Sequence, residues 1–290
     1  MKISSREKNG LQFKEESSGD FFARGVYRIK NFPTPRISVI TVCFNSEDTI
    51  RHTLQSVKNQ TYSNIEHIII DGASDDNTVQ IAQSFPHVSK IISEKDKGIY
   101  DAMNKGLRYA SGDIISILNS DDVYASNNVL NIVADLFEVT GTDTLYGDLQ
   151  YVDARNINRI LRNWRSGDFN TNKFKYGWMP PHPTFFVKRE VYQKAGMFDT
   201  SLKTAADYEF MLRTLYKYKF SSFYVPEVLV KMAAGGASNV SFSGRLKANR
   251  EDRKAWLING LTPYFFTLYL KPARKIFQFI NKEQLRRVFF

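Results

Sequence analysis

The sequence predicts an α/β fold, a mostly parallel sheet with helices on both faces, followed by a C-terminal helical extension. Three observations predict it. From residue 36 to about 118, β-branched runs alternate with amphipathic helical stripes at the spacing of strand–helix–strand units. The first run, ISVITVCF at 37–44, is nearly continuous in apolar character, as in a strand buried on both faces. Polar residues gather after each run, at Asn45, Asp71, Lys97 and the Asn119 to Asp122 cluster, where open parallel sheets bind their ligands.

The elements follow in order. Residues 1–35 are polar and end in NFPTPR, whose prolines read as an extended lead-in. They contain no apolar core of a signal peptide, so none is expected. After the first strand, Ser46 is a candidate N-cap, with Glu47 and Asp48 in the first turn and Ile50, Leu54 and Val57 as a helical stripe. IEHIII (65–70) is a second strand with the loop DGASDDNT, then a short helix around Val79 to Phe85. KII (90–92) is a short strand, GIYDAMNKGLRYA a helix with Ile99, Met103, Gly106 and Ala110 on one side, and IISIL (114–118) the next strand. A helix is expected at 126–137. In the second half, TLYGDLQYVD and INRILRNW read as antiparallel strands and HPTFFVK as another. REVYQKAG is a short helix stopped by Gly196, and AADYEFMLRTLYKY a longer one. FSSFYVPEVLVKMAAGGAS is a strand, a turn at Pro226 and a Gly-rich loop. Three regions result: an N-terminal extension (1–35), an α/β domain (36–240) and a basic helical region (241–290).

Bulk properties narrow the class. The 290 residues are 42% hydrophobic and 24% charged, the range of an ordinary globular chain. One cysteine, Cys43, excludes an internal disulfide. No uninterrupted apolar stretch is long enough for a transmembrane helix. The net charge of +10 is concentrated in residues 245–290, which hold 11 basic and 3 acidic residues. There AWLINGLTPYFFTLYL (255–270) precedes a segment in which Ala273, Ile276, Phe277 and Ile280 form a stripe amid Arg274, Lys275, Lys282, Arg286 and Arg287. That pattern suits a helix in the interface of an anionic membrane, or a helical hairpin packed on the domain with a solvated basic face. No nucleic-acid module accompanies the charge, so nucleic acid is not expected as a partner.

The chemistry centres on ILNSDDVY (117–124), where an apolar run ends in the adjacent carboxylates Asp121 and Asp122. Neither G-x-x-x-x-G-K-[ST] nor G-x-G-x-x-G occurs, and the first loop, CFNSED, is acidic. A P-loop NTPase, a NAD-type Rossmann enzyme and a nucleotidyltransferase with a Gly-rich first loop are thereby disfavoured. Two aspartates at a strand end can hold Mg²⁺ or Mn²⁺ against a nucleotide diphosphate. They also suit a solvated pair or an acidic start to the following helix.

The series ISVITVCFN, HIIIDGASDDNT, SEKDKGIYDAMNKGLRYASGDIISILNSDD, HPTFFVKREVYQKAGMFDTSL, AADYEFMLR and VPEVLVKMAAGGAS resembles family 2 glycosyltransferases in type and order, from about Pro35 to Ser238. DKGIYDAMNKG resembles the bacterial polysaccharide branch, which builds O-antigen, capsule and exopolysaccharide. The resemblance implies a GT-A fold, a nucleotide-sugar donor (UDP-linked) and an inverting transfer of a hexose. It implies a divalent metal, Mn²⁺ or Mg²⁺, and a glycan or polyprenyl-diphosphate-linked acceptor. The implied location is cytoplasmic, peripheral at the inner face of the bacterial plasma membrane. A non-catalytic, membrane-associated scaffold that keeps the fold is the alternative.

Residue roles are likewise what the resemblance implies. Thr41, Val42 and the residues to Asn45, with Glu47, line the nucleoside pocket. Asp71 accepts from the uracil ring and Ser74 closes its loop. Lys97, Gly98, Tyr100 and Asn104 lie near the diphosphate or donor sugar. Asn119, Ser120 and Asp121 occupy the family's Asp-x-Asp, with Asn in the first place; Asp121 binds the metal and Asp122 is a possible second partner. Asp207 matches the catalytic base, with Ala206 where many members carry Glu. His182 is placed beside the diphosphate or acceptor, or is a packed loop residue. Trp178 stacks on an acceptor sugar or plugs the domain junction.

Overall fold

The computed structural model describes residues 34–234 and 242–276, with side chains for 34–234 and 249–271. Residues 1–33, the Gly-rich loop at 235–241 and the side chains of the stripe Ala273, Ile276, Phe277 and Ile280 lie outside the described residues.

The first half alternates strictly. It comprises β1 (Ile37–Cys43), α1 (Ile50–Lys58), β2 (Ile65–Asp71), α2 (Thr78–Gln83), β3 (Val88–Ser93), α3 (Ile99–Tyr109) and β4 (Ile114–Ile117). β1 pairs in parallel with β2 and β4, and β2 in parallel with β3. Every residue of β1 is buried, because helices cover both faces. The second half adds β5 (Asp122–Tyr124), α4 (Val129–Thr140), β6 (Thr144–Asp153), β7 (Asn156–Trp164), β8 (Phe186–Lys188), α5 (Arg189–Ala195), α6 (Ala206–Met211), β9 (Ser222–Ala233), α7 (Phe242–Ile258) and α8 (Thr267–Ile276). These strands extend the sheet in the order β3-β2-β1-β4-β8-β6-β9-β5, with β7 on β6. β8 is antiparallel to β4 and β6, β7 to β6 and β5 to β9, while β6 and β9 run parallel. The result is a mixed α/β sheet whose first half is parallel.

One face of the sheet packs Ile40, Ile68, Ile70 and Ile117 against Met103 of α3 and against α5 and α6. The other packs Ile37, Val39 and Leu145 against Leu130 and Val133 of α4. Gly106 lets α3 approach β1, since a Cβ there would collide with Ile40 Cγ2. The C-terminal helices also join the core. Trp256 is fully buried, and its Nε1 donates to the Tyr208 hydroxyl at 2.8 Å. Lys271 bonds to Asp252 at 2.7 Å with its ammonium 3.7 Å from the centre of the Tyr208 ring.

Several local expectations change. α1 starts at Ile50, not after Ser46, because residues 46–49 form a turn closed by the Ile50 N–H on the Ser46 carbonyl, 2.9 Å. Ile99 is 47% exposed, so the buried side of α3 is Tyr100, Met103 and Gly106 without it. In HPTFFVK only Phe186–Lys188 is strand; His182–Thr184 is a 3-10 turn. Pro226 makes no turn that ends a strand. Gly147 pairs with Val225 and Asp148 with Val228, so Pro226 and Glu227 bulge out while β9 continues. A bulge suits proline, which has no N–H for the ladder. The helix after Asp207 changes to π-helix over Leu212–Lys217, where the Thr214 hydroxyl takes the Phe210 carbonyl at 2.8 Å.

Candidate active site

The loops at the carboxyl ends of β1 and β2 are knitted together. Asn45 adopts φ 47°, its N–H donates to Ser74 Oγ at 2.8 Å, and its Oδ1 accepts from the Asp75 N–H at 3.1 Å. Glu47 accepts from the Asn77 side chain at 2.7 Å, and its own N–H donates to Asp76 at 3.0 Å. These bonds leave the Phe44 ring 62% exposed beside Gly72. The first loop also touches the Asp121 loop, through Ser46 Oγ and Ser120 Oγ at 2.9 Å.

Four of the residues expected at the donor, Thr41, Val42, Asp71 and Asn104, are buried in this structure. Thr41 is fully buried with its hydroxyl 3.0 Å from His67 Nε2, and Val42 is buried behind it, so neither lines an open pocket. Asp71 is also fully buried. It accepts from the Ser74 N–H at 3.0 Å, from Ser93 Oγ at 2.6 Å, from the Ser74 hydroxyl and from the Cys43 thiol at 3.7 Å. In this structure its oxygens shape the loop that carries Ser74. Asn104 spends its amide on the backbone of Phe198, donating at 2.9 Å and accepting at 3.0 Å. It ties α3 to the loop before α6.

Lys97 and Gly98 are exposed at the start of α3, with Gly98 at φ 121°. The buried Lys105 fixes the approach to them by bonding Asp96 at 2.6 Å and Glu94 at 3.0 Å. One residue into α3, the Tyr100 hydroxyl donates to Asp207 Oδ1 at 3.0 Å. Burial, reinforced by Asp207, pushes the Tyr100 phenol well up, so it stays a donor. Asp207 is half-buried, whereas Glu209 is buried and chelated by Arg213 at 2.9 Å through both oxygens. Of the two carboxylates of α6, only Asp207 remains open for chemistry.

Asp121 is half-buried and burial raises its carboxyl. Asp122 is fully buried, with Oδ2 accepting from Asn119 Nδ2 at 3.3 Å. Burial and the adjacent Asp121 charge push Asp122 well above the usual carboxylate range. Asp122 therefore stands behind the loop, with its Oδ2 engaged by Asn119. Among the described residues no cluster of three His, Cys, Asp or Glu forms a complete cage. Asn119 Oδ1 and Asp122 Oδ1 are nevertheless buried without a hydrogen-bond partner. An all-oxygen set of this kind, beside the Asp121 carboxylate, fits a hard cation that completes its shell with diphosphate oxygens and water.

Tyr151 joins the two halves. In sheet register, Asp122 lies opposite Met232, Met232 opposite Tyr151, and Tyr151 opposite Arg162. Burial pushes the Tyr151 phenol up, Arg162 opposes this, and Asp122 and Asp207 both add to the rise. The Arg162 guanidinium lies 3.6 Å from the centre of the Tyr151 ring. Asp207 also reaches His182, whose imidazole is held below its usual range by burial against that attraction; its Nε2 is buried and unpaired. The region around Tyr151 thus lies within the electrostatic reach of both Asp122 and Asp207. Trp178 does not join it. It is packed against Tyr146, Phe169 and Phe174 with Nε1 on the Ser166 carbonyl at 2.9 Å, leaving no open face for a sugar. Sequence reasoning missed Tyr151 and Arg162, since only the strand register puts them on the aspartate row.

The comparisons agree with this architecture. The family model for "Glycosyl transferase family 2" matches residues 38–198. A Mycobacterium tuberculosis protein named as an uncharacterized glycosyltransferase is 35% identical over 182 residues, 62% of this chain and 68% of that one. A Mycobacterium bovis protein named as a PGL/p-HBAD biosynthesis glycosyltransferase is 28% identical over 214 residues, 71% of this chain and 80% of its own. Among solved structures, S. aureus TarS 1–349 in complex with UDP-GlcNAc superposes with a TM-score of 0.63 at 18% identity, covering 81% of this chain and 69% of that one. The longer TarS structure is spanned over only 40% of its length. A mannosyltransferase from Pyrobaculum calidifontis, in complex with GDP-Man and Mn²⁺, gives 0.59 at 18% identity over 82% of this chain and 69% of its own. These structures share the GT-A fold of this chain. The family match spans more than half of the sequence, and the chain belongs to glycosyl transferase family 2.

Proposed function

We propose that the protein is an inverting enzyme that transfers a hexose from a nucleoside-diphosphate sugar, UDP-linked, to a glycan or lipid-linked acceptor in cell-surface polysaccharide synthesis. The observation that supports this reading is that Asp207 and Asp122 both act on the Tyr151 phenol, which lies two strands from Asp122 in register. Phe44, exposed at the end of β1, stacks on the base, and the Asn45–Ser74 and Glu47–Asn77 bonds hold the two loops around it. Lys97 supplies positive charge toward the diphosphate.

Asp207 takes the proton from the acceptor hydroxyl as that oxygen attacks the anomeric carbon opposite the departing nucleotide. General-base help of this kind is worth about 10² to 10⁴ in rate. Tyr100 holds the accepting carboxylate in place. Asp121 and Asn119 would hold a divalent cation, which offsets charge on the departing diphosphate. The neighbouring mannosyltransferase with bound GDP-Man and Mn²⁺ supports that choice of ion. UDP-GlcNAc in TarS supports a UDP donor.

The protein acts as a peripheral membrane enzyme on the cytoplasmic side. Phe265 is 88% exposed and Tyr269 73%, and Arg253 and Lys254 are exposed on α7. Among the described residues no helix is long and apolar enough to cross a membrane. Sedimentation with anionic vesicles, abolished by Phe265→Ser with Tyr269→Ser, tests this part; equal sedimentation of the variant refutes it.

The transfer reading is tested by incubating the protein with a panel of UDP-, GDP- and dTDP-sugars, with and without Mn²⁺, and measuring nucleotide release. Release from one donor class that depends on the metal is expected. No release from any donor, together with no calorimetric binding of UDP in the presence of Mn²⁺, would overturn it.

A further inference from the structure

The chain leading into Asp207 has no cap of its own. Ala205 occupies the N-cap place of α6, and its methyl group offers no oxygen to the first N–H groups of the helix. The two residues before it are held from outside instead. Glu251, on α7, accepts at a single oxygen, Oε2, from the Lys203 N–H at 2.9 Å, the Thr204 N–H at 2.6 Å and the Thr204 hydroxyl at 2.8 Å. Bonds to an ionised acceptor are short and strong. Lys203 and Thr204 are themselves exposed, so this carboxylate is what ties their backbone to the body of the protein.

The same helix holds the chain on the far side of Asp207. Trp256 donates from Nε1 to the Tyr208 hydroxyl at 2.8 Å, and Asn259, just past α7, donates to Glu209 Oε1 at 2.9 Å. Glu251, the fully buried Ala255 and Asn259 follow one another at four-residue spacing, and so share the face turned to this segment. Lys254 adds a bond to Ser201 Oγ at 3.2 Å on the rim. Asp207 is thereby bracketed. Glu251 fixes residues 203–204 before it and Trp256 fixes Tyr208 after it, from points about 7.5 Å apart along one helix.

The two brackets differ in kind. Trp256 and Asn259 are buried and belong to the core. Glu251 is half-buried and bonds exposed backbone, so its loss opens no cavity. Tyr100 orients the Asp207 carboxylate, whereas Glu251 orients the backbone that carries it.

We infer that Glu251 is a positioning residue for Asp207: by anchoring the Lys203 and Thr204 N–H groups, it sets the point from which Asp207 reaches the acceptor hydroxyl. The inference rests on the reading of Asp207 as the base and adds a residue of the C-terminal helices to the machinery.

The probes are UDP-glucose, UDP-galactose and UDP-N-acetylglucosamine with Mn²⁺, offered to a panel of methyl glycosides, with UDP release giving kcat and the donor KM. Glu251→Ala should lower kcat about ten- to hundredfold, as a shift of a reacting group by about 1 Å does, with donor KM and calorimetric UDP affinity within about twofold of the parent. Glu251→Gln keeps an oxygen that accepts from the same N–H groups and should retain at least about a third of kcat. Glu251→Asp keeps the charge but withdraws the carboxylate by one methylene, and its kcat should fall toward that of the alanine variant. A role in stability alone would lower Tm and leave the kcat of folded protein in place.

Unchanged kcat in the alanine and aspartate variants overturns the inference. So does a matching loss of UDP binding, or a glutamine variant as impaired as the alanine one. The glutamine and aspartate variants decide the matter if the alanine variant does not fold. A parent protein that releases no UDP, or an Asp207→Asn variant as active as the parent, overturns the base reading and this inference with it. Turnover that needs Asp207 but not Glu251 overturns this inference alone.

Discussion

The Tyr100 hydroxyl donates to Asp207 Oδ1 over 3.0 Å, joining the first turn of α3 to the first turn of α6 across 107 residues of chain. A half-buried carboxylate with one fixed donor has its orientation set before substrate arrives. Tyr100→Phe removes that donor and nothing else of the ring. A hydrogen bond to a charged group is worth about 1.5–3 kcal/mol, so kcat should fall about ten- to hundredfold. The KM for the donor should change little, which steady-state kinetics would reveal.

Gly106 sets how closely α3 approaches β1, and hence where Tyr100 sits. A Cβ there would collide with Ile40 Cγ2 and come within 3.3 Å of Ile70 Cγ1. Gly106→Ala should therefore destabilise the protein by about 1–3 kcal/mol through overpacking. Improved helix propensity would return less than about 1 kcal/mol. Urea denaturation should show the lowered midpoint.

Acid should weaken the fold through His67. This residue is fully buried, hydrogen-bonded to Thr41 at 3.0 Å and to His87 at 3.1 Å, and burial lowers its pKa from 6.5 to about 3. The folded state thus keeps the ring neutral where the unfolded chain binds a proton. Its contribution is complete above pH 6.5 and declines as pH falls toward 3, by about 2 kcal/mol at pH 5. His67→Gln keeps a hydrogen-bonding group and removes the titration. Its Tm should drop less between pH 7 and pH 5 than that of the parent protein.

The parallel half of the fold was legible because its signals are local. The run at 37–44 and the stripe of Ile50, Leu54 and Val57 needed no tertiary information. Pro226 was misread because the bulge that absorbs it depends on pairing with Gly147, 79 positions earlier. At the site, the motif order singled out Asp121 and Asp207 as candidates, but not the state of their neighbours. Asp71, Asn104 and Thr41 have suitable chemistry, yet their polar atoms are committed to Ser93, Phe198 and His67. Tyr151 and Arg162 carry no sequence signal, because strand register alone brings them to Asp122. The packing of Trp256 on Tyr208 was likewise hidden in a segment whose composition also suits a membrane surface.

The central claim is that Asp207 is the base of a transfer reaction, and Asp207→Asn tests it most directly. The substitution keeps the size of the side chain and an oxygen for Tyr100 while removing the proton acceptor. Donor turnover onto an acceptor should fall at least a hundredfold, with UDP and Mn²⁺ still binding by calorimetry as in the parent. Undiminished transfer by the asparagine variant would contradict the account.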